Sequence, residues 1–136
     1  MSVKHISGKI KMVHLDMTPS LALTRDTLVE ITSGLVAAAD DNDVALSGVI
    51  QHTIATGDSD YADSRKVPIA VPVERHVVWE IDTDDTLVDT THQGGEYGIV
   101  DSGKIDVDDV TNKVFLVTEV VSTSKARGYL KINGSY

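Results

Sequence analysis

Clusters of acidic residues are the feature of this sequence that could support chemistry. Two acidic loops, 82–89 and 106–109, could together supply oxygen ligands to a divalent ion. Their acids are Asp82, Asp84, Asp85, Asp89, Asp106, Asp108 and Asp109. A third stretch, 58–69, begins like an EF-hand loop, but Asp63 stands where that loop needs glycine and Ile69 where it needs glutamate. We reject the EF-hand and expect solvated acidic turns.

The sequence contains no motif of a known catalytic centre. Glycine-rich nucleotide loops, zinc-protease motifs and the serine nucleophile elbow are all missing from it. The five histidines are scattered without ligand spacing, and the chain has no cysteine, which excludes thiolate catalysis. Paired carboxylates for glycoside hydrolysis stay open, but one Trp and four Tyr give few sugar-binding platforms. A carbohydrate-binding or hydrolytic domain is therefore the less favoured alternative.

Turn residues divide the chain into short apolar segments. Ser33-Gly34 and the Asp-Ser-Gly sequence at 101–103 predict two tight hairpin turns. Roughly six to nine short strands, spaced by such turns, are typical of an all-β barrel or sandwich. Because aromatics are only 4% of the residues, Val, Ile and Leu must form most of the core. We expect Trp79 at its centre, with a set of apolar neighbours: Val77, Ile81, Phe115, Val117 and Leu130.

Residues 66–82, KVPIAVPVERHVVWEID, predict β structure with two prolines inside it. Apolar residues occupy the odd positions from Val67 onward, with Arg75 the exception, and this period predicts one buried face. Pro68 and Pro72 are four residues apart, so their missing N–H donors face the same side of the strand. We predict an edge strand over the first half, which bends near Arg75 and then enters the sheet.

Charge is unevenly distributed along the chain. Residues 1–15 and 122–136 each carry three basic residues and no acid, whereas 16–121 hold 6 basic and all 21 acidic residues, a net charge of −15. An acidic body is repelled by phosphates, so nucleic acid is an unfavourable partner. No apolar run approaches the length of a membrane span, so we predict no membrane partner either.

The residues from about 24 to the end resemble a family of small virion proteins of tailed bacteriophages. The similar stretches are PVERHVVWEID (72–82) and GGEYGIVDSGKIDVDDVTNKVFLVTEVVSTSKARGYLKING (94–134). In that family a V-P-V-E-type strand precedes an apolar and aromatic pair, a D-S-G turn follows, and an F-(L/F)-V-T strand leads to a closing R-G strand. These proteins are described as head decoration, or capsid cement, proteins.

The resemblance implies a small β domain, often trimeric, that clamps neighbouring major capsid protein subunits. It places the protein on the outer surface of the capsid in the virion, which is assembled in the host cytoplasm. It implies no enzyme activity, no catalytic residue, no metal and no cofactor. We therefore predict an all-β fold, a single-domain β-barrel or sandwich (β-tulip-like), that forms a homotrimer through loops near 55–65 and 83–95. Alternatives within the virion are a head-fibre base and a tail-tube subunit.

The first residues lie outside the resemblance. We predict an extended arm over 1–20 and a single β domain over 21–136, the arm being mobile in the free protein and ordered on the capsid. The alternative is that KIKMVHL, residues 9–15, is a strand of the domain itself. A cement protein can join its partner by strand addition, and several copies around one axis gain avidity. The predicted capsid-binding residues are Lys4, Lys9, Lys11, Val67, Pro68 and Pro72.

Overall fold

The computed structural model of the chain describes residues 3–43, 45–101 and 103–133. Within these ranges it forms eleven strands and one four-residue helix, so the predicted all-β fold is confirmed. The strands are β1 (Val3–Ser7), β2 (Ile10–Asp16), β3 (Leu28–Thr32), β4 (Leu35–Ala38), β5 (Gly48–Ile50), β6 (Lys66–Pro72), β7 (Val78–Thr83), β8 (Glu96–Asp101), β9 (Lys104–Asp106), β10 (Phe115–Ser122) and β11 (Lys125–Leu130); the helix is α1 (Asp89–His92). No helix among the described residues is long and apolar enough to cross a membrane.

Five of the strands close into a barrel. Their order is β7, β11, β10, β8 and β9, and β9 pairs in parallel with β7 through Asp82↔Lys104 and Thr83↔Ile105. Strand β1 pairs antiparallel with β7 from Val78 to Ile81, on the same edge of β7 that β9 joins at Asp82 and Thr83. Trp79 is 1% exposed at the centre of the barrel core, and its predicted neighbours lie in the same buried cluster, which confirms the predicted core: Val77, Ile81, Phe115, Val117 and Leu130.

The remaining strands form a second sheet in the order β2, β6, β5, β3, β4. Successive residues of its central strands alternate between two apolar cores. Leu28, Val49 and Ala70 join the barrel core, whereas Val29, Ile50 and Ile69 join a second core on the opposite face. Because both faces are covered, β5 and β6 read as nearly continuous apolar runs.

Both predicted hairpin turns are confirmed. Ser33 and Gly34 have φ angles of 53° and 80°, as a two-residue hairpin turn between β3 and β4 requires. The second hairpin joins β8 to β9, and the Gly103 N–H donates to Asp101 Oδ1 at 2.9 Å. Its middle residue, Ser102, lies outside the described residues.

The predicted arm over 1–20 is corrected by the structure. Residues 3–7 and 10–16 are strands β1 and β2, each paired in register with a strand of the domain. The alternative placement of 9–15 as a strand of the domain is therefore the one that the structure supports. The physical reason is that Val3 is fully buried in the barrel core, and that Val13 and Leu15 pack on the second core.

Candidate interaction surface

Residues 3–16 form one bent ribbon along the outside of the domain, which we call the outer ribbon. Its first half, β1, pairs antiparallel with β7 of the barrel, and its second half, β2, pairs antiparallel with β6 of the second sheet. The partner segment, residues 66–83, makes the same passage from one sheet to the other. The outer ribbon thus lies at the margin of both sheets.

A hydrogen-bonded corner fixes the bend between the two halves. The Lys9 N–H donates to Glu74 Oε1 at 2.8 Å, and the Val73 N–H donates to the Lys9 carbonyl at 2.9 Å. The chain approaches closely at Gly8, where a Cβ atom would lie 2.9 Å from Val77 Cα. A side chain at Gly8 would therefore force the two segments apart.

Two hydrogen bonds at the ends of β2 show which way its backbone faces. The Val73 N–H donates to the Lys9 carbonyl, and the Met17 N–H donates to the Arg65 carbonyl at 2.9 Å. Backbone groups alternate in direction along a strand. The odd-numbered residues of β2 therefore face β6, and the even-numbered residues face away from it.

The backbone N–H and C=O groups of Ile10, Met12 and His14 form what we call the open edge. No other described residue pairs with these groups. The open edge ends before Thr18, because the Thr18 N–H donates to the Val36 carbonyl of β4 at 3.1 Å. The second sheet thus has a short unpaired stretch at its margin.

The two prolines of β6 face the other neighbour of that strand. The Gln51 N–H donates to the Pro68 carbonyl at 2.9 Å, which places the even-numbered residues of β6 on the side of β5. Strand β5 pairs only with Ile69 and Ala70, so neither Pro68 nor Pro72 stands opposite one of its residues. The prediction that both missing donors face one side agrees with this geometry.

The prediction that residues 67–72 form an edge strand is wrong. Strand β6 pairs with β2 along its whole length and with β5 on its other side. Val67 is fully buried and is therefore corrected as a binding residue, whereas Pro68 and Pro72 are half-buried. The chain does leave β6 near Arg75, but it passes into the barrel rather than deeper into the same sheet.

The three predicted lysines are brought together along the outer ribbon. Lys4 lies on β1, Lys9 at the corner and Lys11 on β2, and all three are exposed. None of them forms an ion pair with a described residue. Lys4 stands opposite Glu80, but that carboxylate accepts a hydrogen bond from Arg127 Nε at 3.1 Å. The outer ribbon therefore presents positive charges that are not neutralised within the described chain.

Met12 and His14 belong to this surface but were not among the binding residues predicted from the sequence. Both are exposed on β2, Met12 to 48%. The signal that points to them lies in β6, where the run Val67–Val71 is apolar or proline at every position. Such a run is typical of a strand covered on both faces, which needs a neighbouring edge strand. The segment 10–16 is the candidate for that neighbour.

The acidic loops 82–89 and 106–109 approach each other at the end of β7. The Asp84 N–H donates to the Ile105 carbonyl at 3.2 Å. Burial raises the pKa of Asp84 above its ordinary value, and the nearby charges of Asp106, Asp85 and Asp108 add to this rise. Carboxylates of the same loops accept backbone N–H groups: Asp106 from Asp108, and Asp109 from Thr111 and Asn112. These bonds shape the turns.

A different group of carboxylates is the most compact one in the described chain. Oxygens of Glu30, Asp40 and Asp43 lie within 4.8 Å of one another. Burial raises the pKa of Asp43 to about 7, and its hydrogen bond to Glu30 contributes to the rise. The Asp40 N–H also donates to Asp43 Oδ2 at 2.9 Å. The raised pKa favours a protonated Asp43, whose carboxyl group faces Glu30 on β3.

Comparison with protein-family models, with curated proteins and with solved structures finds no match for this chain. The resemblance to head decoration proteins therefore stays a prediction made from residues 72–82 and 94–134.

Proposed function

We propose that this protein is a structural component of a bacteriophage virion that binds the outer surface of the capsid and stabilises contacts between major capsid protein subunits. The observation that carries the proposal is the outer ribbon, an exposed basic margin with an open strand edge on an acidic domain. The resemblance of residues 72–82 and 94–134 to decoration proteins gives the class of partner. The role requires no catalytic group or cofactor.

The charge distribution supports a protein partner. Residues 1–15 carry a charge of +3 on a chain whose middle section carries −15. A polyanion such as nucleic acid would meet repulsion from most of the surface, whereas a protein surface with a local acidic patch meets only the outer ribbon. Exposed charge pairs across such a contact are screened by salt. Binding should therefore weaken as ionic strength rises.

The test is to mix the purified protein with phage heads assembled without it, to sediment the heads, and to count the copies bound per head. We expect saturable binding and a higher melting temperature of the loaded heads. Lys11→Glu should reduce binding, while Lys113→Glu, the same charge change at an exposed lysine outside the outer ribbon, should not. Heads that take up no wild-type protein would overturn the proposal.

We also expect a homotrimer, since several copies around one symmetry axis turn a weak contact into a stable one. Loops near 55–65 and 83–95 stay the predicted trimer contacts. The first loop is held in shape by Arg65, which donates to Asp58 Oδ2 at 3.2 Å and to Asp60 Oδ1 at 2.5 Å. Sedimentation at micromolar concentration checks this, and a species with the mass of one chain would contradict it.

A further inference from the structure

We propose that the open edge of β2 receives an extended segment of the capsid partner as an added antiparallel strand, with acidic side chains facing Lys11 and Lys9, while β2 keeps its own pairing with β6. This inference rests on the proposed function for the identity of the partner. It adds the mode of binding, the position of the contact and the chemistry of the bound segment.

The backbone of the open edge sets the position. Ile10, Met12 and His14 each direct one N–H and one C=O away from β6, and no described residue satisfies them. An added strand would use these groups as alternate hydrogen-bonded pairs. The bridge between Met17 and Val36 closes the margin beyond this point. The added segment is therefore centred on Met12.

The side chains of β2 set the chemistry of the bound segment. Lys11 would occupy a position between the hydrogen-bonded pairs, where facing side chains of antiparallel strands come closest. Lys11 is exposed on β2, Lys9 lies at the corner two residues before it, and neither has an ion pair within the described chain, so carboxylates opposite them would be favourable. Met12, 48% exposed, projects from the other face. The bound segment should thus alternate acidic and apolar residues.

We expect β2 to stay paired with β6, and not to be released from it, when the partner segment binds. Strand β2 pairs with β6 over seven residues, from Ile10↔Pro72 to Asp16↔Lys66. Val13 and Leu15 also pack on the second core, and Ile10 packs on the barrel core. Release would expose these side chains and the inner face of β6, whereas addition at the open edge breaks no existing bond.

A proline substitution tests the backbone contact. Met12→Pro removes an N–H that faces away from β6, so it leaves the inner ladder intact, as edge strands tolerate. Met12→Ala is the matched control, because it removes the same side chain and keeps the donor. Binding to heads should fall about tenfold or more for Met12→Pro, as expected for a lost hydrogen bond and a displaced strand, and much less for Met12→Ala. Circular dichroism of both variants checks that the fold is kept.

Hydrogen exchange of the wild-type protein gives a test that needs no variant. In the free protein the amides of Ile10, Met12 and His14 should exchange fast, while those of Lys11 and Val13 are protected by β6. On heads, the three outward amides should become protected and the inward ones should stay so. Protection gained at the three outward amides, with no change at the inward ones, is the result expected for strand addition.

The outcomes separate the two proposals. Wild-type binding that leaves the outward amides unprotected, or that Met12→Pro does not weaken, would overturn strand addition and leave capsid binding in place. Binding with loss of protection at Lys11 and Val13 would show release of β2 and would also overturn it. A change in oligomeric state of Met12→Pro without heads would assign the open edge to a second copy. Heads that bind no wild-type protein would overturn both.

Discussion

The barrel and the second sheet differ in whether their strands close into a ring. The five strands of the barrel close into a ring through the parallel pairing of β9 with β7, and β1 pairs with the preceding residues of β7. The second sheet curls until β4 reaches Met17, but it leaves Ile10, Met12 and His14 unpaired. The difference separates two tasks within one small domain: the barrel holds most of the core, and the second sheet offers an edge to a partner.

The barrel core should show the largest effect on stability. Trp79→Ala removes a side chain that is 1% exposed, and substitutions of this kind cost about 3–5 kcal/mol in free energy of unfolding. Urea denaturation followed by circular dichroism measures it. A denaturation curve unchanged from wild type would place Trp79 outside the core. It would also show that the barrel core is not the main source of stability.

Substitutions in the second core should cause the next largest loss of stability. Ile50→Ala, at a fully buried position, should cost about 2–4 kcal/mol. Because strands β3, β5 and β6 contribute to both cores, the two regions should unfold together. The single Trp79 reports on the barrel by fluorescence, and circular dichroism reports on all strands. Two separate transitions in Ile50→Ala would show that the regions are independent units.

The junction between the regions should show a smaller, pH-dependent effect. The loop that holds Asp43 is attached to the end of the barrel, since the Leu46 N–H donates to the Lys131 carbonyl at 2.9 Å. The pKa of Asp43 is raised to about 7 in the folded protein, so folding favours its protonated form. Its contribution to stability is greatest below about pH 4 and declines as the pH rises through 7.

Asp43→Asn keeps a hydrogen bond donor toward Glu30 and an acceptor for the Asp40 N–H. At pH 8 this variant should be more stable than wild type, by on the order of 1 kcal/mol or less because the site is partly solvated. The difference should shrink toward pH 4. Thermal melts across this range check the sign, and a wild type whose stability rises between pH 5 and 8 relative to Asp43→Asn would contradict it.

The outer ribbon should show the smallest effect on folding. Lys11 is exposed and forms no ion pair with a described residue, so Lys11→Glu should change the free energy of unfolding by no more than about 0.5 kcal/mol. Its effect should appear in capsid binding instead. A large loss of stability would show that this lysine supports the sheet. The outer ribbon would then contribute to folding as well as to binding, contrary to our proposal.

The sequence was sufficient for the parts of the fold that depend on local pattern. Alternation placed Trp79 and Ile81 in the core, and turn chemistry placed the hairpin at Ser33-Gly34. The side chains of the barrel core were predicted because the alternation of apolar residues within each strand indicates its buried face. The predicted lysines were likewise found at the surface, since charge alone determines that preference.

Which strands are neighbours could not be read from the same pattern. The alternation from Val67 to Trp79 continues across the bend, so one strand was predicted where two strands in different sheets occur. The prolines indicated that one side of β6 lacks donors, but they do not say whether that side faces solvent or a short strand. Segment 10–16 has an irregular apolar pattern, because only Val13 and Leu15 face the second core and Ile10 faces the barrel core.

The outer ribbon also sets an order of events during synthesis. Its strands are synthesised before their partners, which lie 50 residues later for Asp16 and Lys66 and 78 residues later for Val3 and Ile81. The ribbon therefore waits unpaired while half of the chain is made, and pairings of such long range form slowly. During that interval we expect Lys4, Lys9 and Lys11 to oppose association of the nascent segment with other chains. The same charges that we assign to the mature surface would thus act on the chain before it has folded.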